Sequence, residues 1–213
     1  MSDINNNVND VEALMASKYL DTDLTVEAKL QEMIFAIGEK ISIRRFVLVN
    51  GVVSTYIHGM GSIGCIVKFD VDAETAAKAE FVEFSKNIAL QVGAYPVSYL
   101  DRNSVPASVI ESEKEIIKAQ LANDEKMANK PEKVLEGIIM GKIGKFYDNN
   151  CLVDMEYVKS DDHEKVGKYV ENTAKALGTS IKLVAFCRYE KGEGIQKREE
   201  DFAAEIAKLA GQK

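Results

Sequence analysis

The chain has 213 residues, 46% of them hydrophobic and 29% charged, a balance that suits a globular protein with apolar mass for one large domain or two small ones. Twenty-seven Lys and Arg against 34 Asp and Glu give a net charge of −7, a field that repels phosphate backbones and anionic lipid heads and so argues against nucleic acid as a direct ligand. Cys65, Cys151 and Cys187 stand far apart without C-x-x-C spacing, which speaks against a zinc site or a disulfide framework and for a reducing cytoplasm.

The chain opens on the polar stretch MSDINNNVND, which has neither the basic start nor the apolar run of an export signal. Nowhere does it approach the roughly eighteen uninterrupted apolar residues of a membrane span, so a cytoplasmic location is expected. Residues 14–46, LMASKYLDTDLTVEAKLQEMIFAIGEKISIRRF, predict an amphipathic helix closed by Gly38 and followed by a strand that alternates through Ile41, Ile43 and Phe46. VVSTYIH and SIGCIVKF, joined through Gly59-Met60-Gly61, predict a β-hairpin. AETAAKAEFVEFSKNIALQV then predicts one helix over 73–92, with Phe81, Phe84, Ile88 and Val92 on a single face.

Pro106 and Pro131 each open a helical pattern, PASVIESEKEIIKAQLANDEK and PEKVLEGIIMGKIGKFYDNN, because a first helical turn tolerates a missing N–H. Apolar residues recur in both at spacings of three, four and seven. The polar link between them is short enough to turn the second helix back on the first, giving an antiparallel helical hairpin over 106–148. Two or three heptads do not decide between a hairpin laid on a core and a projecting coiled coil.

Residues 152–186 repeat the pattern of 14–46 with one two-residue insertion. Tyr19 aligns with Tyr157, Val26 with Val166, Ile37-Gly38 with Leu177-Gly178, and Phe46 with Phe186. Two copies of helix, Gly cap and strand suggest a duplicated α+β unit and are too few for a solenoid. YEKGEG predicts a turn, and REEDFAAEIAKLAG a short C-terminal helix. Because strands and helices alternate without a βαβ rhythm, the expected class is α+β with antiparallel sheet.

Groups that could do chemistry do not converge. With the hairpin turn centred on Met60-Gly61, His58 faces Ile63 and Tyr56 faces Cys65, so His58 and Cys65 lie diagonally, roughly 7 to 8 Å apart at Cβ. That is a poor geometry for a Cys–His nucleophile, and Cys65 reads better as a small core residue. His163 in SDDHEK is expected at a solvated helix start. Arg44 and Arg45 point to opposite faces of a strand and cannot clamp one phosphate together. No nucleotide-binding or zinc-protease motif is present, no metal site or cofactor is expected, and binding outranks catalysis. A non-enzymatic assembly module built on the helical hairpin remains an alternative.

KPEKVLEGIIMGKIGKFYDNNCL, AIGEKISIRRF, STYIHGMGSIGCIV and RYEKGEGIQKREEDFAAEIA resemble the translation elongation factor Ts family, in that family's order and spacing, over about residues 14–209. The resemblance implies a guanine-nucleotide exchange factor that binds elongation factor Tu in its GDP-bound and nucleotide-free forms and promotes GDP release without covalent chemistry. It implies two similar antiparallel α+β subdomains with a projecting coiled coil. Residues 1–51 would be the remnant of the first subdomain, 52–100 with 151–198 the second, 101–150 the coiled-coil hairpin and 199–213 a C-terminal helix.

Ile37, His58 and Gly59 fall at positions where the family meets the nucleotide domain of elongation factor Tu, and Val158 where it meets another domain. The family's N-terminal helical domain and its T-D-F-V segment have no counterpart in these 213 residues, and the resemblance therefore implies a truncated member with impaired exchange. A strand at 41–49 short of neighbours would also be an edge open to self-association into a homo-oligomer.

Overall fold

A computed structural model describes residues 8–195 except 125, 128 and 129. The expected C-terminal helix at 199–213 lies outside the described residues. The chain divides after Val49 into two compact units.

In the first unit, α1 (Val11–Ala16) is capped by Asp10, whose Oδ1 accepts from the Ala13 N–H at 2.8 Å. A turn closed by an antiparallel bridge between Lys18 and Thr25 follows. Thr25 then caps α2 (Val26–Ile37), accepting from the Ala28 N–H at 3.1 Å, and Gly38 ends that helix at φ 77°. A short polar side chain satisfies the orphan donors at each start, and glycine takes up the left-handed stop without penalty.

Residues 39–50 form no strand. The strand expected over 41–49 is corrected: its alternation is suited to a sheet, but among the described residues of this unit there is no other strand to complete a ladder.

The second unit is built on an antiparallel sheet in the order β1 (Val52–His58), β2 (Ile63–Asp70), β3 (Lys182–Glu190). The β1–β2 register pairs Tyr56 with Cys65 and His58 with Ile63, as the glycine turn predicted. Cys65, Val67 and Phe69 of the central strand are buried on one face. Against them lies α4 (Ala79–Ala94), which buries Phe81, Phe84, Ile88, Ala89 and Val92. Phe69 meets Phe81 edge-on with ring centres 5.5 Å apart, the arrangement in which aromatic quadrupoles attract.

The single helix expected over 73–92 is two: a one-turn α3 (Ala73–Ala76) and α4, with Lys78 extended between them. Asp72 accounts for the break. One of its carboxylate oxygens caps α3 through the Thr75 N–H at 2.8 Å, while the other accepts from the Thr179 hydroxyl at 2.8 Å. A tertiary anchor thus fixes the short turn independently of the longer helix.

α5 (Ala107–Ala122) and α6 (Glu132–Asn150) pack on one another through a small core of Ile117, Leu121 and Ile143, separate from the sheet's core. Pro106 and Pro131 sit one position before their helices, and their carbonyls receive the first helical N–H groups at 3.0 and 2.9 Å. The segments entering and leaving the pair meet in a parallel bridge between Tyr99 and Cys151. Beside it Arg102 makes a two-pronged ion pair with Asp154, at 2.7 to 3.1 Å, and stacks on the Tyr147 ring 5.0 Å from its centre.

α7 (Val166–Leu177) completes the unit, burying Val166 and Val170 and ending at Gly178 with φ 67°. It is framed by the same backbone bonds as α2. Tyr19 N–H donates to Leu24 O as Tyr157 does to Glu164, and Val26 to Ser17 as Val166 does to Met155. YEKGEG turns as expected, with Gly192 at φ 86° and Gly194 at φ 68°.

Candidate functional site

The most exposed apolar surface of the second unit is the tip of the β1–β2 hairpin. Gly59, Met60 and Gly61 form a tight 3-10 turn in which all three have positive φ, at 56°, 53° and 89°. Only glycine takes that conformation freely, so the two glycines carry the turn and force Met60 fully into solvent. A Cβ on Gly59 would run into the Ser62 hydroxyl. Ile57, 72% exposed, stands beside the tip.

His58 precedes the turn and is exposed. Strand alternation puts it on the same face as Tyr56, whose hydroxyl lies 3.0 Å from His58 Nδ1. The Tyr56 ring in turn rests on α4 at Gly93, where a Cβ would come within 2.6 Å of the ring. Tyr56, His58, Ile63, Leu90, Gly93 and Ala94 together line an open groove of about 380 Å³.

Cys65 takes no part in this surface. It is buried, its thiol donates to the Ala89 carbonyl at 3.0 Å, and burial pushes that thiol up from its ordinary pKa. A nucleophile needs the thiolate, which this environment disfavours. The imidazole that would activate it is bonded to Tyr56 instead, so the Cys–His reading fails on both partners.

Val158 is 37% exposed on the segment between the α5–α6 pair and α7. Its position is set from below by Gln91 of α4, which is fully buried. Gln91 Oε1 accepts from the Val158 N–H at 2.7 Å, and Nε2 donates to the Glu156 carbonyl at 3.0 Å. Tyr157, between them, stacks on Tyr169 with ring centres 4.2 Å apart. Helix α4 therefore supports both His58, through Gly93 and Tyr56, and Val158, through Gln91.

Ile37 is the last residue of α2 in the first unit and is 55% exposed. Phe35 and Met33 of the same helix are also exposed, at 93% and 43%. His163 is solvated as expected but lies in the loop ahead of α7 rather than in its first turn, at φ 60°, with Nδ1 2.7 Å from Glu156. The Ser160 hydroxyl orders that loop by accepting from the Glu164 N–H and donating to Asp162. Among the described residues no group of three or more His, Cys, Asp or Glu could hold a metal ion, and no helix is long and apolar enough to cross a membrane.

Sequence reasoning missed Tyr56, Gly93 and Gln91. Each left a trace: a tyrosine two residues from His58 on one strand, a glycine inside a helix, and a glutamine seven residues after Phe84 on an otherwise apolar stripe.

Comparison with known proteins identifies the lineage of this chain. Residues 2–193 match the family model described as Elongation factor TS. The chain belongs to the elongation factor Ts family. It is 41% identical over 210 residues to the elongation factor Ts of Clostridium botulinum strain 657, covering 97% of this chain and 66% of that protein. The elongation factor Ts of Clostridium perfringens strain SM101 is 40% identical over the same share of each chain. The chain thus spans about two thirds of the length of the elongation factor Ts proteins it matches.

Proposed function

We propose that this chain binds elongation factor Tu and promotes its release of GDP. The observation that carries the reading is the exposed hairpin tip, where the family resemblance assigns His58 and Gly59 as contacts with the partner's nucleotide domain. Ile37 and Val158 serve as further contacts, the latter toward a second domain of the partner. An exchange factor of this kind works in the cytoplasm and needs no acid, base or nucleophile.

Its requirement is thermodynamic. It must bind the nucleotide-free partner more tightly than the GDP-bound one, and reciprocity then makes GDP bind the complex more weakly by the same factor. A thousandfold coupling corresponds to roughly 4 kcal/mol, within reach of a few well-packed apolar contacts.

The architecture in this reading is two duplicated subdomains, 1–51 being part of the first, 52–100 with 151–198 forming the second, and 101–150 a coiled-coil hairpin inserted into it. The identical bond frames around α2 and α7 support the duplication. The separate small core of α5 and α6 supports the inserted hairpin.

The test is release of a fluorescent GDP analogue from purified elongation factor Tu with and without this chain, beside a direct binding measurement. Accelerated release is expected. No binding at micromolar concentration would overturn the proposal, and binding without acceleration would restrict it to partner recognition.

A further inference from the structure

We infer that Tyr56 is a positioning residue for the partner contact of His58, fixing which imidazole nitrogen the surface offers. The inference rests on the reading of His58 as a contact with elongation factor Tu and adds to it the chemistry of the atom His58 must meet.

The 3.0 Å bond joins two groups of unequal character. A phenol hydroxyl is a good donor and a modest acceptor, whereas an imidazole nitrogen accepts well. The favourable arrangement has the Tyr56 O–H donating and Nδ1 accepting. The proton of the neutral ring then sits on Nε2, the nitrogen left to the exterior of an exposed side chain.

His58 thus presents an N–H donor, and the complementary partner group is an acceptor, a backbone carbonyl or a carboxylate. The arrangement is held from the other side by packing. Gly93 lets the Tyr56 ring approach α4 more closely than any residue with a Cβ would allow, and the Cys65 sulfur lies 3.8 Å from where that Cβ would stand. The hydroxyl therefore reaches Nδ1 from a ring that is already fixed, and the imidazole gives up little rotational freedom on meeting its partner.

The chain has only two histidines, His58 and His163, so nitrogen NMR of the imidazoles resolves them in the full chain, His163 serving as internal control. In its neutral form His58 is expected as the Nε2–H tautomer, with the Nδ1 resonance displaced by an accepted hydrogen bond. Tyr56→Phe keeps the ring and its packing but removes the donor. It should return Nδ1 to the position of an unbonded imidazole and raise the Nδ1–H fraction, with the thermal midpoint unchanged.

The same variant should weaken binding to elongation factor Tu roughly two- to tenfold, the worth of one ordinary hydrogen bond, and should have no effect in a His58→Ala background. Unchanged His58 resonances in Tyr56→Phe, or a wild-type ring carrying its proton on Nδ1, would overturn the inference. So would His58→Ala weakening the complex while Tyr56→Phe does not, which sinks the role of Tyr56 alone. If neither variant alters binding, the partner reading of His58 falls and the inference with it.

Discussion

Gln91 and Val158 are joined as two strands of a sheet would be, although only one of them is backbone. The buried side-chain amide of Gln91 accepts from the Val158 N–H at 2.7 Å and donates to the Glu156 carbonyl at 3.0 Å, so helix α4 reads the neighbouring segment by side chain. Gln91→Leu keeps the volume and leaves that carbonyl and N–H without partners. Each orphaned group costs about 1 to 3 kcal/mol, and urea denaturation should register a loss of roughly 2 to 6 kcal/mol. A loss under about 0.5 kcal/mol would mean that water replaces the amide without penalty.

Gly93→Ala sets two effects of opposite sign against each other. In an exposed helix interior the change would stabilise by roughly 0.5 to 1 kcal/mol. Here the new Cβ would lie 2.6 Å from the Tyr56 ring, and overpacking of that kind costs about 1 to 3 kcal/mol. The expected outcome is net destabilisation in thermal unfolding, with weaker binding to elongation factor Tu because the ring displaced is the one that holds His58. A stabilised variant would show that the ring moves aside freely.

Asp72 makes stability depend on pH. Its carboxylate accepts from the Thr75 backbone N–H and the Thr179 hydroxyl, bonds that hold its pKa down at about 2. An unfolded aspartate titrates near about 3.9. A depressed pKa contributes stability that is present above the unfolded value and is lost as pH falls through the folded one. Acid unfolding of Asp72→Asn should therefore be less steep than that of the parent between about pH 4 and pH 2. Curves of equal slope would refute the assignment.

The three thiols should react in a fixed order. Cys65 and Cys151 are buried, Cys187 is half-buried, and burial pushes Cys151 up to about 11. A water-soluble disulfide reagent added to the native protein should modify Cys187 first, the other two following only at the rate of unfolding. Mass spectrometry of digests taken at intervals gives the order. Early labelling of Cys65 would contradict the account of its thiol as a donor to Ala89.

How much of this was legible in the sequence varied with the range of the forces involved. The register of His58 against Ile63 follows from the glycines of the turn, a local constraint written in adjacent residues. The division into α3 and α4 depends on Asp72 reaching Thr179, over a hundred residues away, and Ala77-Lys78 carries no breaking residue to announce it. Residues 41–49 have the alternation of a strand, yet pairing needs a neighbour that alternation alone cannot supply. At the candidate site, strand spacing placed Tyr56 and His58 on one face. The glycine that lets the tyrosine close on its helix acquires meaning only when sheet and helix are brought together.

The bridge between Tyr99 and Cys151 has a consequence for how such a chain can evolve. Asn150 O receives the N–H groups of Ser98 and Tyr99, and Leu152 N–H returns to Tyr99 O, so everything between enters and leaves the sheet-bearing core through neighbouring doorposts. A segment anchored in that way closes its own loop at the base. Turns of helix can be added to or removed from α5 and α6 in matched pairs without moving a residue of the core, leaving reach as a quantity that selection can adjust separately from fold.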